Sequence, residues 1–217
     1  MRNKFDQELE KLNDNLLEMG GVIEESIAIA IKGISQPDGG LDRVRGLEQR
    51  ADELERVITG QCMSIILSQQ PVAGDLRVTS TAMKMITDME RIADQAVDIA
   101  EISRHLTVLP IFPEPDEISQ MAKKTVIMVS GSIDSFVRKD LALARRVVES
   151  DDEVDSLYLR MRDVVVNMIA RDKRSGAVAI DYIMIAKYLE RIADHAVNIA
   201  EWVVFQMTGE HKNQRII

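Results

Sequence analysis

The sequence predicts an all-α protein: a tandem repeat of two antiparallel three-helix bundles, six helices in all. Three observations carry that prediction. Residues 90–101 read ERIADQAVDIAE and residues 190–201 read ERIADHAVNIAE, agreeing at ten of twelve positions one hundred residues apart. Apolar residues recur at three- and four-residue steps through long stretches between the prolines. Aromatics are only 4% of the chain while Ala, Ile, Val, Leu and Met are plentiful, a mix suited to packed helices rather than a β-sandwich.

The first helix is expected over residues 4–34, where Leu9, Leu12, Leu16, Met19, Ile23, Ile27, Ala30 and Ile34 form one stripe. QPDGGLDR, with Pro37 and two glycines, is the turn that ends it. A second helix runs from about Asp42 to Gln70 and stops at Pro71. Asp75 is expected to cap a third that continues to about His105. TVLPIFPEPDE at 107–117 is the one proline-rich stretch, so the chain divides into residues 1–108, a linker at 109–115 and residues 116–217. Three further helices are expected at about Asp116–Arg138, Asp140–Asp172 and Gly176–Met207. Gly20, Gly21 and Gly131 fall inside helical patterns, each costing ~1 kcal/mol relative to Ala. Short connections make sequential helices antiparallel neighbours, closing each triplet into an up-down-up bundle. The spacing of DELE at 52–55 to the first cassette equals that of DEVD at 152–155 to the second, so the repeated unit spans more than one helix.

A formal charge of −9 with no basic stripe argues against nucleic-acid binding. The single cysteine, Cys62, excludes an internal disulfide and a cysteine-based zinc site; its neighbours Met63, Ile65 and Ile66 suggest a buried, inert thiol. MRNKFDQELEKL has no apolar signal-peptide core, and no run reaches the length needed to cross a bilayer. A cytoplasmic location is expected, with membrane association only through partners. Trp202 and Phe205 are expected in the core, with a dimer interface as the second reading.

On a helical wheel with Glu90 at zero, Asp94 falls at about 40°, Asp98 at about 80° and Glu101 at about 20°. The apolar residues from Met85 to Ala100 occupy an arc from roughly 180° to 340°. The second copy repeats the acidic stripe with Glu190, Asp194 and Glu201, while Asn198 replaces Asp98. His195 replaces Gln95 at about 140°, outside that stripe. The preceding helix of each unit carries its own acids: Glu48, Asp52 and Glu55 in the first, Asp151, Asp152, Glu153 and Asp155 in the second. Like charges at i, i+4 destabilise a helix by a few tenths of a kcal/mol, so facing stripes need compensation. Arg91 and Arg191 supply part of it, and a cation bound to oxygen ligands would supply more. Acidic residues at helical spacing usually form a solvated face; the duplication of Glu-x-x-x-Asp is what favours a site.

The cassettes MERIADQAVDIAE and LERIADHAVNIAE, with QQPVAGDLR ahead of the first, resemble the PhoU family of phosphate-signalling regulators across nearly the whole chain. The resemblance implies a cytoplasmic, non-enzymatic negative regulator of phosphate uptake and of phosphate-starvation signalling. Its implied partners are the ATPase subunit of a Pst-type phosphate ABC transporter and a PhoR-type histidine kinase, with a homodimer expected. It implies metal ions at the acidic clusters, iron or zinc favoured, manganese or magnesium as alternatives. Carried over onto this sequence, the ligand set is Glu48, Asp52, Glu90, Asp94 and Asp98 in the first unit and Asp151 or Asp152, Asp155, Glu190 and Asp194 in the second. Asn198 departs from the pattern and implies a weaker second site, and KRSGAVAID does not reproduce PVAGDLR. Two rival readings are a carboxylate-bridged di-metal enzyme and a purely structural scaffold. The first normally needs Glu-x-x-His twice, which this chain lacks. No Walker-type glycine loop, nucleophile elbow or zinc-protease motif is present.

Overall fold

The structure, a computed structural model, describes residues 2–35, 40–72, 74–212 and 214–215. The first apolar stripe becomes α1 (Arg2–Ser35), with Leu12, Leu16, Met19, Ile23, Ile27 and Ala30 wholly buried. The expected Pro37 turn lies outside the described residues. α2 (Leu41–Gln69) turns Val44, Ala51, Leu54, Ile58, Cys62 and Ile65 inward. Burial there pushes the Cys62 thiol up to about 12, so it stays protonated. Gln70 closes this helix in the left-handed conformation, φ 46°, its N–H donating to the Ile66 carbonyl. α3 (Gly74–Leu106) follows. Asp75 occupies its first turn rather than the cap position, its N–H donating to the Val72 carbonyl at 3.2 Å. The carboxylate still sits at the positive end of the helix dipole.

The second half repeats the plan with one break. α4 (Asp116–Arg138) is followed by α5 (Leu141–Glu149) and α6 (Asp151–Arg171), then a 3₁₀ turn (Lys173–Ser175) and α7 (Gly176–Thr208). The fifth expected helix is thus present but divided at Ser150, whose N–H and hydroxyl both donate back to the Arg146 carbonyl, at 3.0 and 2.7 Å. A serine that bonds its own preceding turn leaves the chain free to change direction, and α6 restarts at Asp151. Upstream, Asp140 caps α5 by accepting from the Leu143 N–H at 2.9 Å. Asp140→Ala is expected to cost about 0.5–2 kcal/mol in equilibrium unfolding, with the helical signal of the native state unchanged. A two-residue antiparallel ribbon, β1 (Glu210–His211) with β2 (Gln214–Arg215), closes the described chain.

Two of the glycines inside helices permit close approach. A Cβ at Gly20 would lie 3.1 Å from Ile133 of α4, and one at Gly131 would lie 3.0 Å from Val147 of α5. The helical propensity lost at these positions is exchanged for tighter crossings. Residues 107–115 do not hang loose. Leu109 and Phe112 pack on the core, and the Tyr182 hydroxyl donates to the Phe112 carbonyl at 3.4 Å.

The buried side chains form one continuous cluster through both halves. Its spine is the antiparallel contact of α3 with α7, recorded by bonds whose residue numbers rise on one helix and fall on the other. Arg77 Nε donates to the Gln206 carbonyl, Thr81 Oγ1 to the Trp202 carbonyl, Asp88 meets His195 at 2.8 Å, and His105 meets Asp181 at 2.7 Å. Both histidines therefore pair with carboxylates of the opposite half. Trp202 is used within the chain: edge-on to Phe205 at 5.7 Å, against His211 at 4.0 Å and under Lys84 at 5.7 Å. Among the described residues no helix is long and apolar enough to cross a membrane.

Candidate functional site

The apolar half of the first cassette seats α3: Ile92, Ala93, Ala96, Ile99 and Ala100 are buried. That packing fixes the opposite edge of the helix, where Glu90, Asp94 and Asp98 follow at four-residue steps. Antiparallel α2 brings Glu48, Asp52 and Glu55 alongside. The proximity registers in the ionisation of these groups. Desolvation, then the charges of Asp52 and Asp94, raises the pKa of Glu48. Glu90 is raised by desolvation and by Asp94, opposed by Arg91, with Glu55 and Asp52 adding to the rise. Asp98 is raised by desolvation, Glu101 and Asp94, while Arg191 and a hydrogen bond with Tyr188 pull the other way. Arg45, Glu48, Asp94 and Asp98 line an open cavity of about 370 Å³. Gln95 borders the same cavity at 4% exposure, and its Oε1 has no hydrogen-bond partner.

A second seam lies between α6 and α7. Asp151, Asp152 and Glu153 form the first turn of α6, where the helix dipole favours negative charge. Crowding outweighs that advantage at Asp151. Desolvation and the charges of Asp155, Asp194, Asp152 and Glu190 push its carboxyl up to about 6. Asp194 is raised by desolvation, Glu190 and Asp155, against Lys187 and His195. The first seam lacks a helix terminus, since α2 runs straight past it. Asp52 and Glu55 of the first seam correspond to Asp152 and Asp155 of the second at the hundred-residue offset, whereas Glu48 and Asp151 have no acidic counterpart.

Each seam carries one cation on its own helix. Arg91 lies 3.4 Å from Glu90 and 3.2 Å from Asp94, and the Lys187 ammonium bonds Glu190. Arg191 sits instead beside Asp98 of the other half. As placed, no three His, Cys, Asp or Glu side chains among the described residues come together closely enough to hold an ion. In kind, the donors fit a metal: carboxylates on both facing helices, plus an orphaned amide oxygen bordering the first seam, suit oxygen-seeking cations. Closing either seam on an ion requires rotation of its carboxylates away from Arg91 or Lys187.

The structure therefore brings Glu48, Asp52, Glu90 and Asp94 into mutual electrostatic reach, with Asp98 at the margin against α7. Asp151, Asp155, Glu190 and Asp194 form the second group, and Asp152 adds its field to Asp151. Glu55 joins the first seam although the sequence left it outside the ligand set. The Asn198 amide donates to Asp88 Oδ1 at 3.3 Å, across the halves. Sequence reasoning missed Asp88, Tyr188 and Lys187. The available signal was angular, because Asp88 falls at about 160° and His195 at about 140° on the same wheel, both at the rim of the apolar arc.

The PhoU domain model matches the chain twice, at residues 16–103 and 118–203, so both seams lie largely inside matched segments. The phosphate-specific transport system accessory protein PhoU homolog of Clostridium acetobutylicum is 33% identical over 211 residues, covering 96% of each chain. The homologue so described in Pseudomonas aeruginosa is 33% identical over 208 residues, 95% of this chain and 86% of that one. The crystal structure of PhoU from Pseudomonas aeruginosa superposes with a TM-score of 0.89 at 32% identity, covering 95% of this chain and 100% of that one. That of the phosphate transport system regulatory protein PhoU from Streptococcus pneumoniae gives 0.86 at 24% identity, over 95% of this chain and 98% of that one, and supports the same fold. With both halves matched by one domain model and relatives 33% identical over nearly the full length, the chain belongs to the PhoU family.

Proposed function

We propose that this protein is a cytoplasmic, non-enzymatic accessory regulator of phosphate-specific transport, restraining phosphate uptake and phosphate-starvation signalling. It acts by docking, on the ATPase subunit of a phosphate ABC transporter and on a sensor histidine kinase. The observation that carries the reading is the repeated carboxylate seam, one per half, lying in segments matched to a family whose members are described as transport accessory proteins. In the first seam Glu48, Asp52, Glu90 and Asp94 would hold a cation, and in the second Asp151, Asp155, Glu190 and Asp194. The ion supplies positive charge and ties neighbouring helices together. The residues themselves set the shape of the surface: repulsion among the acids keeps each seam ajar, and Arg91 or Lys187 moderates it.

The test combines metal analysis with binding. Protein purified without chelator is expected to carry stoichiometric iron, zinc or manganese, and to capture the transporter ATPase subunit or the kinase's cytoplasmic domain. The combined substitution Glu90→Gln with Asp94→Asn is expected to lower metal content and to weaken capture at least tenfold. Unchanged capture by metal-free and substituted protein would remove the metal from the mechanism. Absence of capture in every form would remove the docking role.

A further inference from the structure

α3 and α7 meet through an approximate two-fold relation that the hundred-residue repeat makes easy to follow. Position 88 faces position 198, where the Asn198 amide donates to Asp88. Position 188 faces position 98, where Tyr188 lies beside Asp98. His195 Nδ1 lies 2.8 Å from the same Asp88 oxygen. Geometry repeats across the interface; the side chains do not. At the three equivalent positions the first half presents Asp88, Gln95 and Asp98. The second presents donors at all three of the facing ones, Tyr188, His195 and Asn198.

Asp88 and His195 are mostly buried, with side-chain exposures of 16% and 19%. A charge held so far from water is costly unless a partner meets it. Two first halves joined through this face would set Asp88 against Asp98 twice, four carboxylates with Gln95 and Arg91 standing where His195 and Arg191 do now. The second half carries the replacements that remove the conflict. We infer that Asn198, with His195 and Tyr188, is a pairing determinant. The inner face of α7 fits the inner face of α3 on the other half. The difference between Asp98 and Asn198 then belongs to the contact between halves rather than to unequal metal sites.

The full-length chain allows a direct test. Asn198→Asp places a carboxylate against Asp88 and is expected to lower the thermal midpoint by about 4–8 °C at neutral pH and low salt. Adding Asp88→Asn to the same chain is expected to recover most of that loss, since an amide then faces the new carboxylate. An Asn198→Asp chain that folds only in the company of Asp88→Asn gives the same result in stronger form. Equal losses with and without Asp88→Asn would overturn the inference. So would an Asn198→Asp chain that keeps its midpoint and binds Mn²⁺ more tightly, which would return position 198 to the metal site. Metal-free protein serves for the unfolding measurements, so their outcome is independent of the proposed docking function.

Discussion

Ile192→Ala is expected to cost about 2–5 kcal/mol, whereas Glu190→Gln, two residues earlier on the same helix, is expected to leave stability unchanged or slightly raised. Ile192 is wholly buried in the core shared by the two halves, and truncation there leaves a cavity in it. For a chain of this size each kcal/mol is worth roughly 2–4 °C in the thermal midpoint. Glu190 stands among Asp151 and Asp194, so neutralising it relieves repulsion while forfeiting only the partly exposed contact with Lys187. Thermal unfolding of the two metal-free variants separates the halves of the cassette. Equal losses would mean that the acids are structural after all.

Raising the pH from 4 to 7 is expected to weaken the metal-free protein through Asp151, and a divalent cation is expected to reverse the loss. The folded carboxyl titrates at about 6 against an ordinary value of 3.8, so the native state binds more protons than the unfolded chain between those values. Stability contributed by this group is therefore complete below about pH 4, falls as pH rises through 6, and is gone above it. The shift alone would correspond to about 3 kcal/mol; the side chain is only half-buried, and solvent screening reduces this to ~1 kcal/mol. Saturating Mn²⁺ should accordingly raise the thermal midpoint more at pH 7 than at pH 5, where the proton competes. Asp151→Asn should flatten the pH dependence of the metal-free protein. A cation response equal at both pH values would contradict the assignment.

How much of this was legible in the sequence depends on what a helical period encodes. The stripe from Leu12 to Ala30 and the arc from Met85 to Ala100 declare which face is buried, and the structure buries those faces. A period does not name the partner of the rim. Asp88 and His195 sit at similar wheel angles on different helices, and only the antiparallel register of α3 with α7 turns that coincidence into a bond. The division at Ser150 was not legible: the pattern from Asp140 to Asp172 runs on with no Gly or Pro, and Ser150 bonds back to the Arg146 carbonyl rather than capping α6. The acidic seams were legible as residues and not as geometry. Sequence spacing places Glu90 above Asp94, but the approach of Glu48 and Asp52 in one half and of Asp151 and Asp155 in the other depends on how α2 and α6 pack against α3 and α7.

The strap formed by residues 107–115 gives the molecule its mechanical character. Its Leu109 and Phe112 pack against the core, and Tyr182 of α7 holds the Phe112 carbonyl. Swinging the halves apart would withdraw these anchors together with the α3–α7 spine, so a hinge here is equivalent to partial melting. A partner docked at one seam would therefore meet a body whose two halves share one core and one helix–helix spine.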